Sequence, residues 1–295
     1  MPAKERIDFR DEISRNKLKS FFLITLIAVI LIFFGYVISF AFSPGYFFTI
    51  MIISIFISLL YIWISYYNSD KIALASVNAK KAPIEKYKEY HSLVEGLTLA
   101  SGMPKPKLYI MESPQINAFA SGRNPQNSVI CVTTATLEKL DKRELEGVLA
   151  HELSHIANYD IRFMTLVTVM VGMVAIISEI FLRSLWFKSG DNDSKGNAIF
   201  IVIGLVMAIL APIVVQLVQL AISRKGEYKA DATAVKFTRY PNGLINALKK
   251  IRDENPVPEK KISKAIAPLF FANPLKNAFS THPPIEKRIE VLERM

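Results

Sequence analysis

The sequence predicts a mainly α-helical fold in which four hydrophobic helices form two hairpins beside an α+β domain. Four long apolar runs interrupt a chain of 295 residues with 51% hydrophobic composition, which is more than a soluble protein of this length needs for its core. Between the second and third runs, short segments rich in Val, Ile, Tyr and Thr alternate with helical periodicity. This pattern indicates a small sheet packed beside helices.

The formal net charge of +10 favours contact with an anionic surface. Basic residues flank the apolar runs, so we expect a membrane surface and no nucleic acid as partner. Cys131 is the one cysteine in the sequence, which excludes an intrachain disulfide and fits a reduced, cytosol-facing domain.

Residues 1–20 form a polar segment, and residues 21–42 carry no charge over a length that can cross about 30 Å of hydrocarbon. A signal peptide is the alternative, but the run is long and lacks a small-x-small cleavage site. Ser43-Pro44-Gly45 interrupts the helix before a second uncharged run at 46–67. Residues 21–67 therefore predict a transmembrane hairpin whose basic flanks place both open ends in the cytoplasm.

Residues 68–160 have the composition of a soluble domain and predict the first part of the α+β domain. We expect a helix around residues 84–100 and a sheet of about three short strands, at 107–111, 115–120 and 128–133. Asp141 and Glu144 have the spacing of a capping box, which starts an amphipathic helix.

Apolar runs at 163–182 and 197–222 predict a second hairpin within residues 161–222. Pro212 and two glutamines interrupt the later run, so a re-entrant hairpin of the same helices is the alternative to a full crossing. Basic residues directly after the run place residues 223–295, the second part of the α+β domain, in the cytoplasm.

The segment His151-Glu152-Leu153-Ser154-His155 has the spacing of a zinc-hydrolase motif. Positions i and i+4 share a helix face, so His151 and His155 can offer two imidazoles to one metal ion. Catalytic zinc usually has three protein ligands, and we assign Glu227 as the third. Asp231 lies one turn after Glu227, where its carboxylate could accept the outer N–H of a ligand histidine. An ion pair of Glu227 with a neighbouring lysine is the alternative.

His282 precedes two prolines and a terminal amphipathic helix. A histidine held in this way could reach the metal site and stabilise an oxyanion. A cap or loop hydrogen bond is the alternative that the sequence leaves open.

These motifs resemble those of the HtpX-type membrane zinc metalloproteases, a family related to the CAAX prenyl proteases. The segments that carry the resemblance are 117–125 (NAFASGRNP), 151–160 (HELSHIANYD), 227–231 (EYKAD) and 280–284 (STHPP). Tyr159 stands where many relatives have glycine.

The resemblance implies a zincin-like catalytic domain with one Zn²⁺ per chain, bound by His151, His155 and Glu227. It also implies that Glu152 is the general base, which takes a proton from a zinc-activated water and passes it to the leaving amine. An extended substrate would pair with an edge strand at Asn117, Ala118 and Phe119. Broad specificity would follow, because main-chain hydrogen bonds are insensitive to side chains.

The motif lies close in sequence to the later apolar runs. About 12 Å of helix would separate His155 from residue 163, and about 8 Å would separate residue 222 from Glu227. We therefore expect a multi-pass protein of the plasma membrane with its catalytic site near the cytoplasmic surface of the lipid bilayer. That position predicts quality control, in which misfolded or damaged membrane proteins and other unfolded polypeptides are the substrates.

Two other functions stay open. The first is a protease of narrow specificity that processes peptides or prenyl-proteins. The second is a non-enzymatic membrane scaffold with structural zinc, which the sequence disfavours because a structural site usually completes its ligands with Cys or His and none lies near the motif.

Overall fold

The computed structural model of the chain describes residues 47–167, 224–254, 267–272 and 282–295, and parts of the segment 14–33. The predicted apolar run 197–222, the run 163–182 beyond residue 167, and most of the run 21–42 lie outside the described residues. Both predicted hairpins therefore stay predictions.

Helices make up most of the described chain. They are α1 (Phe47–Tyr67), α2 (Ser69–Ser76), α3 (Lys88–Ser101), α4 (Thr134–Lys139), α5 (Lys142–Ala157), α6 (Arg224–Thr238), α7 (Pro241–Glu254) and α8 (Ile285–Leu292). Residues 160–167 are also helical, and a 3-10 turn covers Ala267–Leu269. Among the described helices none is long and apolar enough to cross a bilayer alone, although the pair Met51–Tyr67 and Ser69–Ser76, bent by 74°, has the required length and composition together.

The sheet has four strands where about three were expected. They are β1 (Lys80–Lys81), β2 (Lys107–Met111), β3 (Ala118–Asn124) and β4 (Asn127–Thr133), in the order β1-β2-β4-β3. The additional strand is β1, which is too short and too polar to show an alternating pattern in the sequence. β2 and β4 are parallel, and the other two pairings are antiparallel. This order makes β3 an edge strand of the sheet.

The helix that carries the two histidines, α5, lies at the centre of the domain. It packs against α3, α6, α7 and the sheet, and nearly every residue from Glu144 to Ala157 is buried. The predicted capping box is confirmed: the Asp141 carboxylate accepts the N–H groups of Arg143 and Glu144, and the Glu144 carboxylate accepts the N–H of Asp141 at 2.8 Å. The capped start fixes where each turn of α5 points.

A glycine allows α7 to approach α5 closely. A Cβ atom at Gly147 would lie 2.6 Å from the backbone nitrogen of Leu244. We expect Gly147→Ala to lower the free energy of unfolding by about 1–3 kcal/mol, because the helices must separate. The measurement is thermal unfolding of the purified chain.

Gly96 in α3 provides the matched control. A Cβ there would meet nothing within 4 Å, so Gly96→Ala should stabilise the protein by about 0.5–1 kcal/mol through higher helix propensity. Equal melting temperatures for the two variants would contradict this account of the α5–α7 contact.

Candidate metal centre

The structure brings the three predicted ligands together. His151 and His155 project from α5 and Glu227 from α6, and their ligand atoms all lie within 4.8 Å of one another. The Nε2 atoms of the two histidines are 3.1 Å apart. The Glu227 carboxylate oxygens lie 3.7 Å from Nε2 of His151 and 3.6 Å from Nε2 of His155. Tetrahedral zinc with bonds of about 2.0–2.1 Å needs ligand atoms about 3.3 Å apart, so this donor set fits the ion.

Each histidine has a carboxylate on its outer nitrogen. Nδ1 of His151 is 2.9 Å from Asp231 Oδ1, and Nδ1 of His155 is 3.1 Å from Asp160 Oδ2. A carboxylate on Nδ1 keeps the proton on that nitrogen, so the Nε2 lone pair faces the site. Both rings are thereby oriented for one cation.

Asp160 reaches His155 because the helix breaks between them. Five residues along a continuous helix would carry Asp160 well off the face of His155. Instead α5 ends at Ala157, and Tyr159 adopts the left-handed conformation with φ 60°. The expected 12 Å of continuous helix after His155 is therefore wrong, and no spacing rule had assigned a role to Asp160.

The two histidines hold protons differently. Burial is the largest influence on His151 and lowers its pKa to about 4, so this ring is neutral at pH 7. Burial also acts to lower the pKa of His155, but Asp160, Glu227 and Glu152 outweigh it and raise the pKa to about 9. The metal-free protein therefore holds an additional proton on His155 at neutral pH.

Metal binding must displace that proton, because the metal needs the lone pair of Nε2. Below pH 9 we expect the affinity of the protein for Zn²⁺ to fall by up to about tenfold for each unit by which the pH decreases. Titration calorimetry in buffers of different ionisation enthalpy should show proton release on binding. Affinity that is independent of pH between 6 and 8 would contradict a protonated His155.

Glu152 is buried beside the cluster of His151, His155 and Glu227 but is not part of it. Burial is the main cause that raises its pKa to about 7, while the nearby His155 and a hydrogen bond from the backbone N–H of Ala120 oppose this rise. A carboxylate with this pKa can take a proton at neutral pH and return it. The Ala120 N–H also places Glu152 beside β3.

The structure places His282 beside Glu227. Its Nδ1 lies 3.3 Å from Glu227 Oε2, and the residue is buried. Burial by itself raises the pKa of Glu227, but His282, His155 and Arg288 hold it well below the usual range of a carboxyl. Glu227 is therefore ionised, as a metal ligand must be.

Arg288 is a residue of the site that sequence reasoning missed. It comes from α8 and is fully buried, with its Nε and Nη2 atoms donating to the two oxygens of Asp231 at 2.9 and 2.7 Å. Its Nη1 lies 3.6 Å from Glu227 Oε2. The guanidinium therefore compensates both carboxylates of α6. Only its position six residues after His282 in an amphipathic helix could have drawn attention to it.

Of the predicted substrate-binding residues, Asn117 directly precedes β3, and Ala118 and Phe119 are its first two residues; all three are buried. The outer edge of β3 is paired here with another part of the chain, since the N–H of Phe271 donates to the carbonyl of Ala118 at 2.8 Å. The side chain of Asn117 is also bonded to the backbone of Ala272.

Comparison with known proteins gives one consistent result. Peptidase family M48 matches residues 84–295. Protease HtpX homolog of Caldanaerobacter subterraneus subsp. tengcongensis is 44% identical over 290 residues, which cover 96% of each chain. Protease HtpX homolog of Dictyoglomus thermophilum is 42% identical over 97% of this chain and 95% of its own. The crystal structure of S. mikatae Ste24p is similar in fold, with a TM-score of 0.52 at 19% identity, over 96% of this chain and 66% of that one.

Proposed function

The chain belongs to peptidase family M48, and within that family of proteases we propose that it is a membrane-embedded zinc endopeptidase that cleaves misfolded or damaged membrane proteins. As an M48 protease of the HtpX type it is a hydrolase of peptide bonds. The observation that carries the proposal is the buried cluster of His151, His155 and Glu227 with Glu152 beside it.

One Zn²⁺ per chain is the metal that we propose for this cluster. Two imidazoles and one carboxylate are a donor set of catalytic zinc sites, which leave a position open. Zinc in such a site supplies Lewis acidity, which lowers the pKa of water and polarises a peptide carbonyl. Asp231 and Asp160 hold the two histidine rings in the tautomer that the metal requires.

Glu152 carries the proton in the proposed reaction. Its buried carboxylate, with a pKa of about 7, takes the proton of the attacking water and delivers it to the nitrogen of the leaving amine. His282 and Arg288 lie on the Glu227 side of the cluster. From there we propose that His282 stabilises the oxyanion of the tetrahedral intermediate.

An extended substrate is proposed to pair with β3 at Asn117, Ala118 and Phe119. β3 is the edge of the sheet nearest the cluster, because the N–H of Ala120 on this strand reaches Glu152. Pairing through main-chain groups would give little dependence on sequence. This mode of binding suits polypeptides that have lost their fold and can adopt an extended conformation. We call the outer edge of β3 beside Glu152 the groove.

The membrane location is supported by α1 and its contacts. Phe48 and Trp63 on this helix are 72% and 59% exposed, and exposed apolar area of this kind favours lipid over water. At the end of α1, the guanidinium of Arg123 lies 4.5 Å from the centre of the Tyr67 ring, and that of Arg162 lies 5.5 Å from the Tyr66 ring. These contacts support a catalytic domain at the cytoplasmic surface of the plasma membrane.

The test compares substrates in detergent or liposomes. We expect Zn²⁺-dependent cleavage of unfolded casein and of a destabilised membrane protein, with much slower cleavage of the same membrane protein in its stable form. Activity confined to one prenylated or processed peptide would contradict the quality-control role and support the narrow-specificity alternative. Absence of all metal-dependent cleavage would contradict the proposed enzyme.

A further inference from the structure

Residues 269–272, which we call the strap, lie along the outer edge of β3. Phe270 forms an antiparallel bridge with Phe119, and the N–H of Phe271 donates to the carbonyl of Ala118 at 2.8 Å. No residue of the strap is more than 9% exposed. The strap thus pairs with the sheet through a single β-bridge at the edge nearest Glu152.

Side chains on either side of the strap form hydrogen bonds with its main chain. The Asn117 side chain donates from Nδ2 to the carbonyl of Ala272 at 2.8 Å, and its Oδ1 accepts the N–H of Ala272 at 3.1 Å. Nη1 of Arg288 donates to the carbonyl of Phe271 at 3.2 Å. Every extended peptide offers the same N–H and C=O groups, so these contacts would hold another peptide equally well.

The side chains of the strap fill both sides of β3. The Phe270 ring lies 5.1 Å from that of Phe119, centre to centre. The Phe271 ring packs edge-on against the His151 ring, with 4.7 Å between ring centres. The guanidinium carbon of Arg288 lies 4.6 Å from the centre of the Phe271 ring. The strap therefore passes directly against a metal ligand, and it leaves no edge of β3 at Ala118 for a second strand.

We propose that the strap is an autoinhibitory segment that occupies the active-site groove as an extended substrate would, and that it must leave before a polypeptide can be cleaved. This rests on the proposed function, in which the substrate pairs with β3. One strand edge can pair with only one other strand, so strap and substrate compete. The apparent affinity for substrate is then the intrinsic affinity multiplied by the fraction of molecules in which the strap has left the edge of β3.

The direct test is Ala272→Pro in the full chain. Proline removes the N–H that Asn117 accepts, so the strap binds less tightly while the groove is unchanged. Ala272→Ser is the matched control, because serine keeps the backbone N–H and has a side chain of similar size. Both are made with Glu152→Ala to prevent cleavage, and the Kd of a fluorescent octapeptide that copies residues 267–274 is measured.

We expect Ala272→Pro to bind the octapeptide about five- to tenfold more tightly than Ala272→Ser, the effect of one lost hydrogen bond on the strap. Equal affinities, or binding to neither protein, would overturn the strap as a competitor. Casein cleavage by the wild-type chain is followed in parallel. Cleavage by the wild type together with equal affinities would disprove only the autoinhibitory role of the strap. Absence of cleavage by the wild type would disprove the proposed function.

A second test locks the strap in place and does not depend on the proline variant folding. Phe119 and Phe270 are the paired residues of the antiparallel bridge, next to the hydrogen bond from the N–H of Phe271 to the carbonyl of Ala118. Such a pair has about 4.5 Å between Cα atoms, which suits a disulfide. Phe119→Cys and Phe270→Cys are combined with Cys131→Ala to remove the native thiol. We expect the oxidised protein to lose octapeptide binding by at least tenfold and dithiothreitol to restore it. Equal binding in both redox states, with the disulfide confirmed by mass spectrometry, would overturn the proposal.

Discussion

Replacing Glu152 with alanine is expected to reduce peptide-bond hydrolysis by roughly 10²–10⁴-fold, the usual contribution of a general base. The side chain is buried beside the cluster but is not among the grouped ligands. Its loss removes the acceptor for the proton of water and leaves His151, His155 and Glu227 in place. We therefore expect the variant to retain its metal, as measured by elemental analysis of the purified protein together with the rate of casein cleavage.

Two further variants separate this effect from damage to α5. Glu152→Gln keeps the shape of the side chain and should be as inactive as Glu152→Ala, because an amide cannot accept the proton. Glu146→Ala lies on the same helix and removes only an ion pair with Arg143 at 3.0 Å, which is worth less than about 1 kcal/mol at the surface. It should keep full activity. Undiminished cleavage by Glu152→Ala would rule out Glu152 as the base.

Glu227→Ala is expected to weaken Zn²⁺ binding by more than the roughly 10- to 100-fold that the loss of a supporting carboxylate costs. Glu227 supplies the one carboxylate among the three grouped ligands, and its oxygens lie 3.6–3.7 Å from the two imidazoles. Without it, two neutral nitrogens remain to hold a dication. Competition with a fluorescent zinc chelator measures the loss of affinity. Cleavage of casein should be lost together with the metal.

The controls for this variant lie on the same helix. Lys236→Ala changes an exposed charge of α6 and should leave metal affinity unchanged. Asp231→Asn keeps all three ligands but weakens the partner of His151 Nδ1, so we expect an intermediate loss of about 10- to 100-fold. Zinc affinity equal to the wild type in Glu227→Ala would mean that the third ligand is a different residue.

Local spacing accounts for what could be predicted about the metal centre. The i,i+4 relation puts His151 and His155 on one face of any helix, and the capping box at Asp141 shows where that helix starts. The position of Asp231 one turn after Glu227 predicted a carboxylate for one of the two histidines, without specifying which. Alternation of Val, Ile and Tyr predicted β2 and β4, but it could not predict the two-residue strand β1.

Tertiary structure decided the remaining contacts. Asp160 reaches His155 only because Tyr159 turns the chain with a positive φ, and Arg288 meets Asp231 from 57 residues away. The strap joins Asn117 to Ala272 across 155 positions in sequence. Hydrogen-bond geometry within a helix repeats at a fixed period, so sequence by itself determined that His151 and His155 share one helix face. The approach of Glu227 to this pair is a contact between two separate helices. Contacts between distant segments depend on how whole elements pack, so only the folded chain shows the carboxylate on His155, the buried arginine and the segment that occupies the edge of β3.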